Sequence, residues 1–220
     1  LLNLYFIFLL ICFQGFIGWY MVSSGLIDRV DVSHFRLSSH LLIAFLILSL
    51  IYWNYLKIKI SRNITNKLNI SIPFFFLFLV FLQISIGAFV SGMDAGKIYN
   101  SWPMMGSNFF PDDSRYSEFL SLKVFDNPSI VQFLHRLLAY LIVINYIYLL
   151  ILVFKEKNKV LLKPVLIIGI ILLFQVGLGI LTILSGVKIV YASLHQINSI
   201  FIILSTLYFL YISKYKDVIN

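Results

Sequence analysis

Three histidines are candidates for holding a metal ion or a cofactor, because neutral imidazole is the commonest metal ligand in proteins. His40 lies in "RLSSHLLIAF", His135 in "VQFLHRLLAY" and His195 in "YASLHQINSI", each at the start of an apolar stretch. Ionisable groups cost free energy in hydrocarbon, so either these residues lie at helix ends near the headgroups or a site needs them. A fourth histidine, His34, is predicted to be a solvated or interfacial loop residue.

The elements that position these histidines are predicted to be membrane helices. Of 220 residues, 60% are hydrophobic and 12% are charged, with a mean hydropathy of +0.95, far from the balance of a soluble domain. Each uncharged window is about long enough to cross a hydrocarbon core of about 30 Å as a helix. The predicted fold class is an all-α polytopic membrane protein, a bundle of six transmembrane helices over 1–27, 37–56, 68–93, 137–154, 164–187 and 189–213.

Lysine and arginine are distributed unevenly among the predicted loops. By the positive-inside rule, the loops after the second and fourth spans and the C-terminus are cytoplasmic, which leaves the histidine ends on the outer side. The net charge of +8 is therefore explained by membrane-flanking turns, and nucleic acid is not an expected partner. The cytoplasmic group is Lys57, Lys59, Arg62, Lys67, Lys155, Lys157, Lys159, Lys163, Lys214 and Lys216; the outer group is Arg29, Arg36, Lys97, Arg115, Lys123 and Lys188.

The three histidine-bearing spans run in the same direction, so their imidazoles fall at a similar depth, roughly 5–10 Å below the outer interface at 1.5 Å per residue. One such histidine would most simply be a hydrogen-bonded helix-end residue. Three histidines at one depth favour heme iron, which axial histidines often hold. Zinc would need more ligands, and no carboxylate lies at this depth. Arg136, beside His135, is expected either to bind a heme propionate or to extend to the interface.

A pattern of Gln, Gly and Ser-Gly occurs three times, each time before a histidine-bearing span. "QGFIGWYMVSSGL" precedes His40, "QISIGAFVSGMDAG" precedes His135 and "QVGLGILTILSGV" precedes His195. Glycine permits close helix approach, and the repetition indicates duplicated helical hairpins. A complete duplication would need one more hairpin before residue 1. We therefore expect residues 1–71 to be the second hairpin of an N-terminal half and residues 72–220 to be a complete C-terminal four-helix half.

These motifs, together with "DAGKIYNSWPMMG" after the third span, resemble the heme A synthase family of alphaproteobacteria and mitochondria over nearly the whole chain. The resemblance implies two pseudo-symmetric four-helix bundles that contain eight membrane helices in all. It also implies an oxidoreductase that converts the methyl group of heme O into the formyl group of heme A, for terminal oxidase (cytochrome c oxidase) assembly. The chain apparently lacks the first two helices, so the catalytic glutamate and histidine are expected upstream of residue 1 and the chain alone is expected to be inactive.

The resemblance also implies roles for individual residues. His135 and His195 would be the axial ligands of a heme b cofactor, and His40 would line the substrate heme site. With both axial positions taken, the heme b is suited to electron transfer. The long loop over 93–128 is expected to cap the heme edge, where Tyr99 and Trp102 would be either heme contacts or interfacial aromatic residues.

The expected partners are the heme O substrate, the lipid bilayer, heme O synthase, oxidase assembly factors and a second copy of the chain. The expected location is a bacterial inner membrane or a mitochondrial inner membrane, with the histidines toward the outer (periplasmic) side. Two other functions remain open. One is a bis-histidine membrane cytochrome that transfers electrons without substrate chemistry, and the other is a transporter or assembly factor whose histidines cap helices.

Overall fold

The computed structural model describes residues 2–23, 32–60, 68–119, 121–157 and 159–214. Six long helices within these ranges are long and apolar enough to cross a membrane, which confirms the predicted fold class. The chain is therefore an integral membrane protein. The helices are α1 (Leu2–Ser23), α2 (His34–Lys59), α3 (Ser71–Gly92), the short α4 (Tyr116–Phe119), α5 (Pro128–Lys155), α6 (Lys159–Leu184) and α7 (Ile189–Lys214).

Helix α5 begins well before the apolar window that predicted it. The side chain of Asn127 accepts hydrogen bonds from the backbone N–H groups of Ser129 and Ile130, at 3.0 and 3.3 Å. Proline at the first helical position has no N–H to satisfy, so Asn127 and Pro128 together start the helix. His135 therefore lies two turns inside α5 and is not a residue at the end of the helix.

His34 is the first residue of α2, which differs from the loop position that we predicted. Its ring lies 4.5 Å from the ring of Phe35 and 5.3 Å from that of Phe89, measured between centroids. The backbone of α3 is also close to His34, because a Cβ placed at Gly92 would lie 2.9 Å from Cα of His34. Packing against α3 therefore extends the helix outward beyond the apolar window.

Four of the long helices form a closed ring in which each contacts the next. Helix α3 packs against α5, α5 against α6, α6 against α7, and α7 returns to α3. Helices α5 and α7 are therefore diagonally opposite each other across the bundle. Helix α2 packs on the outside of this ring, against α3 and α7, and α1 packs against α2. The division of the chain into two halves at residue 71 stays a prediction.

The end of the bundle remote from the histidines is held by aromatic contacts between α2 and α7. The rings of Trp53 and Tyr211 lie 5.1 Å apart in an edge-to-face arrangement, and the Tyr211 hydroxyl donates to the carbonyl of Ile60 at 3.3 Å. The side on which this end lies stays a prediction. Four of the cations used to orient the chain lie outside the described residues, namely Arg29, Arg62, Lys67 and Lys216.

Candidate functional site

Two of the three predicted histidines face each other across the bundle. The rings of His135 on α5 and His195 on α7 have their centroids 6.4 Å apart, with an interplanar angle of 69°. Metal–nitrogen bonds of about 2.0–2.1 Å, added to a ring radius of roughly 1 Å on each side, put two axial imidazoles about 6 Å apart. The observed separation is therefore compatible with one iron bound between the two rings.

Each histidine is held by a glutamine from the preceding long helix in its hairpin. In all three cases the glutamine Nε2 donates to the backbone carbonyl of the histidine at 3.0 Å. The same Nε2 also lies 3.2–3.3 Å from a ring nitrogen, so one amide contacts both the backbone and the ring. The pairs are Gln14 with His40, Gln83 with His135, and Gln175 with His195.

The glycine four residues after each glutamine lies directly against the histidine ring. A Cβ added at that glycine would come closer to the ring Cε1 than about nine in ten real Cβ contacts do, so the ring would have to shift to make room for a larger residue. The neighbouring Gly15 and Gly177 differ, because an added Cβ there would meet nothing within 4 Å. The separations from Cε1 are 3.1 Å at Gly18, 3.1 Å at Gly87 and 3.0 Å at Gly179.

The repeated pattern found in the sequence is therefore a repeated contact in the structure. We call each set of one glutamine, one glycine and one histidine a clamp. The sequence pattern singled out the glutamines and glycines, but it did not indicate that they contact the histidines. The Ser-Gly part of the first repeat, residues 24–25, lies outside the described residues.

The clamp on His195 has partners that the other two lack. Nδ1 of His195 donates to the backbone carbonyl of Gln175 at 3.1 Å, and Asn198 donates to Oε1 of Gln175 at 2.7 Å. In contrast, Nδ1 of His40 and Nδ1 of His135 are buried and have no hydrogen-bond partner among the residues that the structure describes. Sequence reasoning missed Asn198, although a polar residue three positions after a histidine in an apolar helix was an available signal.

His40 is not brought to the other two histidines. It lies on α2, outside the four-helix ring, and within the described part of the chain no second histidine faces its ring. Its clamp with Gln14 and Gly18 nevertheless repeats the contacts at His135 and His195. The role of His40 at a substrate heme stays a prediction.

The geometry at the facing pair suits a heme better than a metal ion bound by side chains alone. Among the residues that the structure describes, no group of three or more His, Cys, Asp or Glu side chains could hold a metal. A heme iron needs only two protein ligands, since the macrocycle supplies the others. The unpaired Nδ1 of His135 and the glycines that let both rings lie close to the neighbouring helix are compatible with such a group.

Arg136 anchors the outer loop that joins α3 to α5. Its guanidinium donates to the backbone carbonyls of Tyr99 at 3.1 Å and Met104 at 3.3 Å. One turn earlier on α5, Gln132 donates to the same Tyr99 carbonyl at 3.0 Å. The Nε of Arg136 is buried without a partner. The predicted contact between Arg136 and a heme propionate stays a prediction.

Two aspartates order the outer loop. Asp112 accepts from the backbone N–H of Ser107 at 2.7 Å and from the Asn108 amide at 2.6 Å, and these bonds lower the pKa of Asp112. Burial alone would raise the pKa of Asp113, but hydrogen bonds led by that of Ser129, at 2.7 Å, outweigh burial and lower it. The loop is therefore tied both to itself and to the start of α5.

Tyr99 and Trp102, the two aromatic residues that we singled out in this loop, have different surroundings. The Tyr99 hydroxyl accepts from the backbone N–H of Asp113 at 3.2 Å, and burial raises the pKa of Tyr99. Trp102 keeps 44% of its surface exposed. Heme contact by either residue stays a prediction, as does an interfacial role.

Comparisons with known proteins agree with the resemblance noted in the sequence. The family profile described as cytochrome oxidase assembly protein, COX15-CtaA, matches residues 1–207. The chain is 51% identical over 215 residues to a heme A synthase of Pelagibacter ubique, covering 96% of this chain and 61% of that protein. It is 42% identical over 204 residues to a heme A synthase of Rickettsia bellii, covering 88% of this chain and 59% of the relative.

A third relative, a heme A synthase of Rickettsia felis, is 38% identical over 200 residues, or 89% of this chain and 59% of the relative. The chain thus spans about three fifths of the length of these curated relatives. The profile match extends over nearly all of the chain, including all three clamps and the outer loop. This chain, whose described residues include six membrane-spanning helices and two imidazoles facing each other across the bundle, therefore belongs to the COX15-CtaA family of cytochrome oxidase assembly proteins.

Proposed function

We propose that this chain is part of a heme A synthase, an oxidoreductase that converts the methyl group of heme O into the formyl group of heme A for cytochrome c oxidase biogenesis. The observation that carries the proposal is the 6.4 Å separation of His135 and His195 in a chain whose relatives are named heme A synthase. Because the chain spans about three fifths of those relatives, the activity is proposed for the whole protein.

Under this proposal His135 and His195 hold a heme b between α5 and α7. Held by these two imidazoles, the heme would supply electron transfer. The chain's own residues provide the framework. The clamps fix the rings, and Arg136 holds the outer loop against α5 through the carbonyls of Tyr99 and Met104.

His40 is proposed to lie at the substrate heme. The support is that the clamp on His40 repeats the glutamine and glycine contacts of the facing pair, because Gln14 and Gly18 contact His40 as their counterparts contact the other two histidines. Converting a methyl group into a formyl group removes several electrons from the substrate. A second heme site that only transfers electrons is compatible with that requirement.

A bis-histidine membrane cytochrome without substrate chemistry is the second candidate, since the facing pair alone would serve it equally well. Extracting the hemes of cells with and without the intact gene separates the two candidates. A heme A synthase requires that heme A disappears and heme O accumulates when the gene is deleted. Unchanged heme A in the deletion strain would rule out the synthase and leave the cytochrome.

We also propose a location and a set of partners for the protein. We place the protein in a bacterial inner membrane, or in its mitochondrial counterpart, with the histidine end of the bundle on the outer side. Heme O synthase, oxidase assembly factors and a second copy of the chain are the proposed protein partners. Copurification of tagged full-length protein from native membranes, with subunit counting by native mass spectrometry, tests these partners.

A further inference from the structure

The two facing histidines are not held in the same way. Nδ1 of His195 donates to the backbone carbonyl of Gln175 at 3.1 Å, whereas Nδ1 of His135 is buried with no partner in the described part of the chain. A carbonyl oxygen can only accept, so this bond places the ring proton of His195 on Nδ1. The lone pair of Nε2 is then the one left for a metal.

The amide of Gln175 contacts the His195 ring at both of its nitrogens. Its Nε2 lies 3.3 Å from both ring nitrogens of His195 and donates to the His195 carbonyl at 3.0 Å. The amide therefore holds the His195 ring through one contact with the backbone and one with the ring.

Asn198 in turn holds the amide of Gln175 in place. Its Nδ2 donates to Oε1 of Gln175 at 2.7 Å and to the carbonyl of Ile171 at 3.1 Å. Both acceptors belong to α6, and both histidine and asparagine belong to α7. The ring of His195, the amide of Gln175 and the side chain of Asn198 thus form one connected network.

The His135 side lacks this network. Gln83 donates to the His135 carbonyl at 3.0 Å, but its own Oε1 is buried without a partner. Leu138, three residues after His135, takes the place that Asn198 has after His195. Hydrogen-bond partners behind a metal-ligating histidine are typically worth about 10–100-fold in metal affinity, so the two sides should differ in strength.

We propose that His195 is the fixed axial ligand, that Gln175 and Asn198 are its positioning residues, and that His135 is the exchangeable ligand. This inference rests on the proposed heme at the facing pair. It goes beyond that proposal because it assigns unequal roles to two residues that the sequence pattern presents as equivalent.

The first experiment compares His135→Ala with His195→Ala in the full-length, heme-loaded protein. Transfer of heme to excess apomyoglobin measures its rate of loss, and absorption spectra report its spin state. We expect His135→Ala to retain a high-spin heme and His195→Ala to lose heme at least about ten times faster. Equal rates, or faster loss from His135→Ala, would overturn the inference and leave the proposed function standing. A wild-type protein without heme would instead refute both.

A second experiment removes only the outermost partner, with Asn198→Leu. We expect heme loss about ten times faster than in the wild type and shifted low-spin electron paramagnetic resonance lines, which report the relative orientation of the two axial rings. Gly177→Ala is the matched control on α6, because an added Cβ there meets nothing within 4 Å. Unchanged heme loss and lines in Asn198→Leu, or a lower melting temperature with unchanged lines, would contradict a positioning role.

Discussion

At the scale of single residues, the histidines are unusual because they place polar ring atoms inside membrane helices. A buried polar group without a partner costs about 1–3 kcal/mol. His195 avoids much of this cost through Gln175, whereas Nδ1 of His135 and of His40 stay unpaired. Side chains that destabilise the fold are expected to be kept for function. The facing geometry of His135 and His195 is compatible with binding one heme iron.

Ligand loss should be visible in the spectrum of the full-length protein. We expect His135→Ala and His195→Ala each to abolish the low-spin heme b signal, because one axial imidazole is removed from the iron. His40→Ala should keep that signal, since His40 lies outside the four-helix ring. Low-temperature absorption and electron paramagnetic resonance spectra of purified protein measure this, and a low-spin signal that survives in either of the first two variants would contradict the ligand assignment.

The sequence could predict the three histidines and the repeat before them, because depth and spacing are read directly from helical periodicity. It could not show that Gln83 and Gln175 contact the rings, since such contacts depend on how neighbouring helices are rotated about their axes. The sequence also could not show that Arg136 donates to the carbonyls of the outer loop, because the backbone of that loop is irregular. Asn198 was missed because only one of the three repeats contains it.

At the scale of helices and loops, close packing within each hairpin depends on glycine. The glycine of each clamp leaves room for the histidine ring, so adding one methyl group there must push the ring or the helix away. Inserting a methylene into a well-packed core typically costs about 1–3 kcal/mol. The hairpins should therefore tolerate alanine at Gly15 or Gly177 far better than at the clamp positions.

Paired alanine substitutions on α6 test this dependence. We expect Gly179→Ala to destabilise the protein by about 1–3 kcal/mol and to lower its heme content, because its Cβ would lie 3.0 Å from Cε1 of His195. Gly177→Ala, two residues earlier, should resemble the wild type in both respects. Thermal unfolding and pyridine-hemochrome analysis measure the two effects. Equal stability of the two variants would show that the His195 ring can move aside without lowering the free energy of unfolding.

The outer loop should loosen in acid. Because its hydrogen bonds lower the pKa of Asp112 in the folded chain, the carboxylate stabilises the loop above its ordinary pKa of 3.8 and loses that effect as the pH falls further. We expect the backbone amide of Ser107 to exchange hydrogen faster below that pH, after correction for the intrinsic rate. Asp112→Asn should remove this pH dependence, and an unchanged corrected rate in the wild type would contradict the assignment.

At the scale of the whole molecule, one end of the bundle carries the histidines, Arg136 and the ordered loop, and the other carries the aromatic contact between Trp53 and Tyr211. The proposed orientation puts the first end outside the cytoplasm. The number of membrane spans followed from the apolar windows in the sequence, because about 20 apolar residues are needed to cross a bilayer. The start of α5 did not, because its first two turns lie before the uncharged window.

Cysteine labelling tests the orientation directly. Cys12, the single cysteine of the chain, can be replaced by serine, after which Ser117→Cys and Glu156→Cys introduce thiols at exposed positions in the two kinds of loop. We expect a membrane-impermeant maleimide to label Ser117→Cys in intact spheroplasts and to label Glu156→Cys only after lysis. The reverse pattern would invert the topology and place the histidine end in the cytoplasm.

Every clamp is completed within a single hairpin: its glutamine and glycine belong to one helix, and its histidine belongs to the next long helix of the same pair. An imidazole can thus acquire its orientation as soon as its own two helices have been inserted by the translocon, before the other pairs arrive. Binding of a cofactor between α5 and α7 would then require only that the completed hairpins pack side by side. We therefore expect the site to form when prearranged hairpins dock against one another.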